Sequence, residues 1–128
     1  MTLDPGTYKD RMHTAINNER TSRGLGRVPR GNHLDASAQD WADHIKAILT
    51  LTHCCPDSET RMRAHGWSGT NSGECVGNGD LTPEQMIDLY MNSTEHRAII
   101  LDPVYTNSGM GATLGAKGKW WTCLDFGD

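Results

Sequence analysis

Apolar residues recur at helical spacing through the first two thirds of the chain, and the pattern switches to that of strands in the last quarter. Tyr8, Met12, Ala15 and Ile16 share one face of a helix predicted over residues 8–23. Thr7 is placed to cap its start and Gly24 to close its end. Residues 23–31 hold three Gly and one Pro and read as a loop. The clearest stripe is Leu34, Ala38, Trp41, Ala42, Ile45, Ile48 and Leu49, which predicts a second helix over residues 33–49 with Asn32 as its cap. His44 lies beside that stripe and reads as a structural or solvent-facing residue. After Pro56 and Asp57 a short third helix is expected over residues 58–65, stopped by Gly66, with Arg61, Arg63 and His65 on a solvated face. Thr82-Pro83-Glu84-Gln85 carries the signals of a capping box with proline in the first turn, and Met86, Leu89 and Tyr90 are expected to face inward. Residues 74–76 read as a short strand. Residues 109–114 and 119–126 read as a hairpin turning at 115–118. Four helical segments and a hairpin define an α+β arrangement, with about four helices packed on a small antiparallel sheet.

The 128 residues are expected to form one domain, residues 1–128, long enough for a real core. No apolar run approaches a membrane span, and no signal peptide is visible in this chain. The net charge of −4, with scattered Lys and Arg, argues against nucleic acid as a partner. A monomer is expected. Four cysteines, Cys54, Cys55, Cys75 and Cys123, allow three pairings. Joining neighbours Cys54 and Cys55 closes a very small ring. The expectation is therefore that one or both of them reaches Cys75 or Cys123, in an oxidising compartment. Four buried free thiols are the alternative.

The order of motifs resembles the CAP superfamily (SCP/TAPS, or SCP/PR-1-like, the cysteine-rich secretory protein family) in its compact bacterial form. The resemblance rests on Ile16-Asn17-Asn18-Glu19-Arg20 with Gly24-Leu25, on Leu34 through Ala42 to His53, and on Gly73-Glu74-Cys75. It continues through Tyr90-Met91-Asn92-Ser93-Thr94-Glu95-His96-Arg97, Gly109-Met110-Gly111 and Asp125-Phe126-Gly127. No single motif is decisive, and their order and spacing are. The resemblance implies an α-β-α sandwich with a cleft holding His53, Glu74 and His96, in which the two histidines can bind a divalent ion, zinc foremost. It also implies an extracellular or cell-surface location. Cys75, Tyr90, Thr94 and Ile99 depart from the family pattern. Ser93 stands where larger members carry a second cleft acid.

Two imidazoles and a carboxylate can hold a metal with an open water position, or act as a general acid and base. Glu74 can instead fix the tautomer of a ligating histidine. Ser93 lies near His96, but nothing resembles a nucleophile elbow, and Ser93 reads as the cap of a short helix from Thr94. Three functions are carried forward. The first is a non-enzymatic, secreted module whose His53/Glu74/His96 cleft binds a divalent metal and a small or lipidic ligand. The second is a metal-assisted hydrolase of peptide or ester bonds using the same trio. The third is a surface interaction protein with a vestigial cleft, for which Trp67, Trp120 and Trp121 are the candidate patch, core packing being the better expectation for at least two of them.

Overall fold

A computed structural model describes residues 2–128. Five helices, α1 (Pro5–Thr21), α2 (Asn32–Ile48), α3 (Ser58–Ala64), α4 (Pro83–Met91) and α5 (Thr94–Ile100), surround three strands, β1 (Ser72–Gly79), β2 (Asn107–Leu114) and β3 (Trp120–Gly127). The strands form an antiparallel sheet in the order β1-β3-β2, so β1 and β2 are its edges. The expected hairpin is β2–β3, with Gly109 opposite Asp125. The strand expected around Glu74 is longer than predicted and pairs with β3, Glu74 opposite Asp125 and Val76 opposite Cys123.

Alternation along the strands divides the core between the two faces of the sheet. On one face Cys75, Met110, Ala112, Leu124 and Phe126 join Tyr8, Met12 and Ile16 of α1, Met86 and Tyr90 of α4, and Ile100 of α5. On the other face Val76, Trp121 and Cys123 meet Ala38, Trp41, Ala42 and Ile45 of α2. Leu34 and Met62 enclose Trp67 beside them. The molecule is therefore the α-β-α sandwich that the resemblance implied. Gly109 and Gly111 allow α2 to lie directly on β2, because a Cβ at either position would strike the backbone of Leu34 or Ala38.

Local chemistry moves several boundaries. Asp4, not Thr7, caps α1, accepting the Thr7 N–H at 2.9 Å. Gly31 precedes α2, and Asn32 lies inside the helix. The Thr82/Gln85 capping box forms as expected. Ser93 precedes α5 but makes no side-chain cap bond. Ile48, Leu49 and Leu89 were expected inside and are exposed. Leu49 ends α2 in the left-handed conformation, which turns the chain away from the core. All three tryptophans of the candidate patch, Trp67, Trp120 and Trp121, are buried. Arg20, only 1% exposed, donates to the carbonyls of Gly26, Ile100 and Asp102 and so ties α1 to two loops. No helix among the described residues is long and apolar enough to cross a membrane.

The cysteine expectation is overturned. Cys54 is bonded to Cys55, while Cys75 and Cys123 are free and buried. The sheet separates the two free thiols. Cys123 points at Glu74 and Asp125, on the α2 side. Cys75 lies in the core of the other face, its Sγ directed at the His96 carbonyl. The loop bearing Cys54 and Cys55 is exposed and outside both cores.

Candidate functional site

The site straddles the free edge of β1. His53 approaches from the loop after α2, on one face of the sheet, and His96 from α5, on the other. Glu74 belongs to β1 itself and points to the α2 and α3 side, beside Cys123 and Asp125 of β3.

Glu74 is 5% exposed, and both its oxygens are occupied. Oε1 accepts from His53 Nδ1 at 2.9 Å and from Arg61 Nη2 at 2.7 Å. Oε2 accepts from Arg61 Nη1 at 2.8 Å and from the Cys123 thiol at 3.3 Å. Burial alone pushes this carboxyl up, but the hydrogen bonds from His53 and Arg61 outweigh it and hold Glu74 down at about 2. An ionised carboxylate only accepts, so the proton of the shared bond sits on His53 Nδ1, and it is Nε2 that carries the lone pair in the neutral ring. The His53 side chain is 51% exposed, so that nitrogen is reachable from outside.

Arg61 is the functional residue that sequence reasoning missed. Assigned there to a solvated face, it is 8% exposed. Besides its fork onto Glu74, its Nε donates to the Pro56 carbonyl at 2.8 Å and its Nη2 to the His53 carbonyl at 3.3 Å. Its guanidinium lies 3.6 Å from the centre of the Trp41 ring, a cation–π contact. Trp41 in turn donates its indole N–H to the Thr52 carbonyl at 2.7 Å. The signal for Arg61 lay in Glu74: a carboxylate in a strand between Gly73 and Cys75 has to be buried with a cation. Arg63 is exposed, as expected, and His65 pairs with Asp40 at 2.8 Å.

Asp125, fully buried, completes the cluster. Burial first, and then Glu74 beside it, raises its carboxyl well above the ordinary range. With one guanidinium beside two buried carboxyls, Asp125 is the one whose surroundings favour the protonated form. Glu74, Cys123 and Asp125 are close enough to hold an ion, but the Arg61 guanidinium already fills that role.

His96 stands against the edge of the Tyr90 ring, 5.2 Å between centroids. Burial, then the nearby His53, depress its pKa, which favours the neutral imidazole. A cavity of about 240 Å³ opens beside it, lined by Leu51, Val76, Gly77, Leu89, Ser93 and His96. Ser93 makes no side-chain hydrogen bond to His96 among the described residues. Glu95 is exposed and does not enter the cavity. Of the predicted trio, then, His53 and Glu74 are joined directly, and His96 stands apart from Glu74, with His53 as its electrostatic neighbour.

A three-stranded sheet enclosed by helices, with one histidine from each layer at its free edge, defines the class of protein. The family model "CAP: Cysteine-rich secretory protein family" matches residues 13–124, and the chain belongs to that family. It is 30% identical over 118 residues to the uncharacterized protein YkwD of Bacillus subtilis (strain 168), covering 90% of this chain and 45% of that protein. The chain thus spans under half the length of that relative. An outer surface protein from Borrelia burgdorferi has the same fold, with a TM-score of 0.90 at 15% identity, covering 100% of this chain and 97% of that one. An extracellular protein containing an SCP domain from Bacillus anthracis superposes with a TM-score of 0.83 at 15% identity, covering 96% of this chain and 41% of that one.

Proposed function

We propose that this CAP domain is a binding module, exported to the cell surface or beyond, whose cleft holds a divalent metal through His53 and His96. The observation that carries the reading is the 2.9 Å bond from His53 Nδ1 to a Glu74 locked by Arg61. A ligating histidine whose other nitrogen donates to a carboxylate is held in one tautomer and one orientation. The donor set fits zinc: His53 offers Nε2, and a depressed pKa keeps His96 able to donate its lone pair. A zinc ion held by His53 and His96 would supply Lewis-acid chemistry. The apolar walls Leu51, Val76 and Leu89 suit the hydrocarbon part of a small or lipidic ligand.

The same observation weighs against a hydrolase. A general base works best with a pKa near the operating pH, and Glu74 sits at about 2 with both oxygens occupied. The export reading is supported by the words "outer surface" and "extracellular" in the descriptions of two proteins of this fold.

Metal analysis of protein purified without chelator or a metal-affinity tag tests the reading. About one zinc per chain is expected, lost in a His53→Ala/His96→Ala variant. Zinc absent from the parent protein even after it is added back would dismiss the metal site.

A further inference from the structure

The disulfide between Cys54 and Cys55 lies between two working surfaces. On one side it adjoins His53. On the other, Cys55 lines a second cavity, of about 300 Å³, between α2 and α3, with Trp41, His44, Pro56, Ala64 and His65. Both cysteines are exposed. The other two are buried on opposite faces of the sheet, and burial raises the pKa of each thiol. An external thiol can therefore reach Cys54 and Cys55, whereas Cys75 and Cys123 can neither attack the bond nor replace it. The loop around the pair is held at fixed points. Trp41 binds the Thr52 carbonyl, Thr52 Oγ1 donates to the Cys54 carbonyl at 2.9 Å, and Arg61 grips the carbonyls of His53 and Pro56. The disulfide closes the chain between the two residues that Arg61 grips.

We propose that Cys54–Cys55 is a thiol–disulfide exchange site for low-molecular-weight thiols, and that its oxidation state sets how firmly His53 is held against Glu74. The incoming thiolate attacks Cys55 Sγ from the cavity between α2 and α3. The S–S bond breaks, and Cys54 leaves as a thiolate that takes a proton from solvent. A second thiol attacks the mixed disulfide, releasing the small-molecule disulfide and the Cys55 thiol. Two external thiols are oxidised and one protein disulfide is reduced, so electrons and protons balance. Opened in this way, residues 54 and 55 lose their cross-link, and the loop that presents His53 samples more conformations. The cavity admits the thiol and the cleft registers the result.

The first half of this inference stands without the metal reading, and the second rests only on the observed His53–Glu74 bond. The experiment therefore uses metal-free protein. Native maleimide labelling, with peptide mapping, is followed through a series of reduced and oxidised dithiothreitol mixtures. The His53 ring resonances are recorded on the same samples. No labelled thiol is expected in the oxidised protein. Two are expected after reduction, at Cys54 and Cys55, with Cys75 and Cys123 silent until the protein is denatured. The His53 signals should shift and broaden on reduction, return on reoxidation, and appear in the shifted position in a Cys54→Ser/Cys55→Ser variant under all conditions. Free Cys54 and Cys55 in oxidising buffer, or a disulfide that resists the dithiol until the protein unfolds, would overturn the exchange site. Reduction with unchanged His53 resonances would overturn the coupling. Zinc binding is read separately on the oxidised protein, so its loss and the loss of this inference are distinct results.

Discussion

Glu74 and Asp125 are two buried carboxyls side by side, and their surroundings send them in opposite directions. Arg61 and His53 favour the ionised form of Glu74, while burial and the neighbouring Glu74 favour the protonated form of Asp125. Removing one member of a buried ion pair leaves its partner uncompensated, so Glu74→Gln and Arg61→Met are each expected to lose about 3–5 kcal/mol in chemical denaturation. Asp125→Asn replaces a carboxyl whose surroundings disfavour its charge with a neutral amide of the same shape. It should be neutral or stabilising at pH 7. The pH dependence follows the same signs. The folded pKa of Glu74, about 2, lies below its ordinary 4.5. Its stabilisation is therefore full above pH 4.5 and fades as pH falls toward 2, an effect on the order of 3 kcal/mol. Asp125 is raised above its ordinary 3.8, so its contribution is present below that value and is lost as pH rises through the folded pKa. The stability advantage of Asp125→Asn over the parent protein should grow as pH rises above 3.8. An advantage that is constant with pH would mean that Asp125 is ionised in the folded protein.

Among the elements, α2 carries the most structure per residue, because its backbone rests on β2 at Gly109 and Gly111 while its side chains fill the core on that face. Gly111→Ala has nowhere to place its methyl group except against the Ala38 carbonyl. A loss of about 2 kcal/mol or more is expected, read as a drop in the thermal midpoint with the hairpin intact. Thr82→Ala removes a formed capping box at the start of α4 and should cost about 1 kcal/mol. This is the scale at which the sequence was most legible. The α2 stripe, the capping box and the β2–β3 hairpin depend on period and on local signals, and each formed, although the buried stripe ends at Ile45 and leaves Ile48 and Leu49 exposed. What failed depended on the third dimension. Leu49 and Leu89 keep the helical period but fall where α2 ends and where α4 borders the cleft, so neither meets a partner element. Arg61 looked like any charged residue on a short helix, because the carboxylate that buries it lies 13 residues away on β1.

Across the whole molecule, the sandwich uses its two layers to bring one histidine to each side of a free strand edge, and a single arginine fixes the nearer one, its backbone directly and its ring by way of Glu74. His53, Glu74 and His96 could be named only through the resemblance to the CAP family, since their spacing matches no local metal signature. The pairing of Cys54 with Cys55 escaped because the expectation weighed ring size and could not see that the sheet places Cys75 and Cys123 in separate cores. Family membership leaves the ligand open, since one fold serves many activities. The most direct test of the central claim is a nitrogen-15 spectrum of the imidazoles recorded during zinc titration of the oxidised protein. The account predicts that Nε2 of His53 and one ring nitrogen of His96 shift together and saturate at one zinc per chain, while Nδ1 of His53 stays protonated toward Glu74. Zinc that shifts neither ring, or shifts His44 and His65 instead, would contradict it.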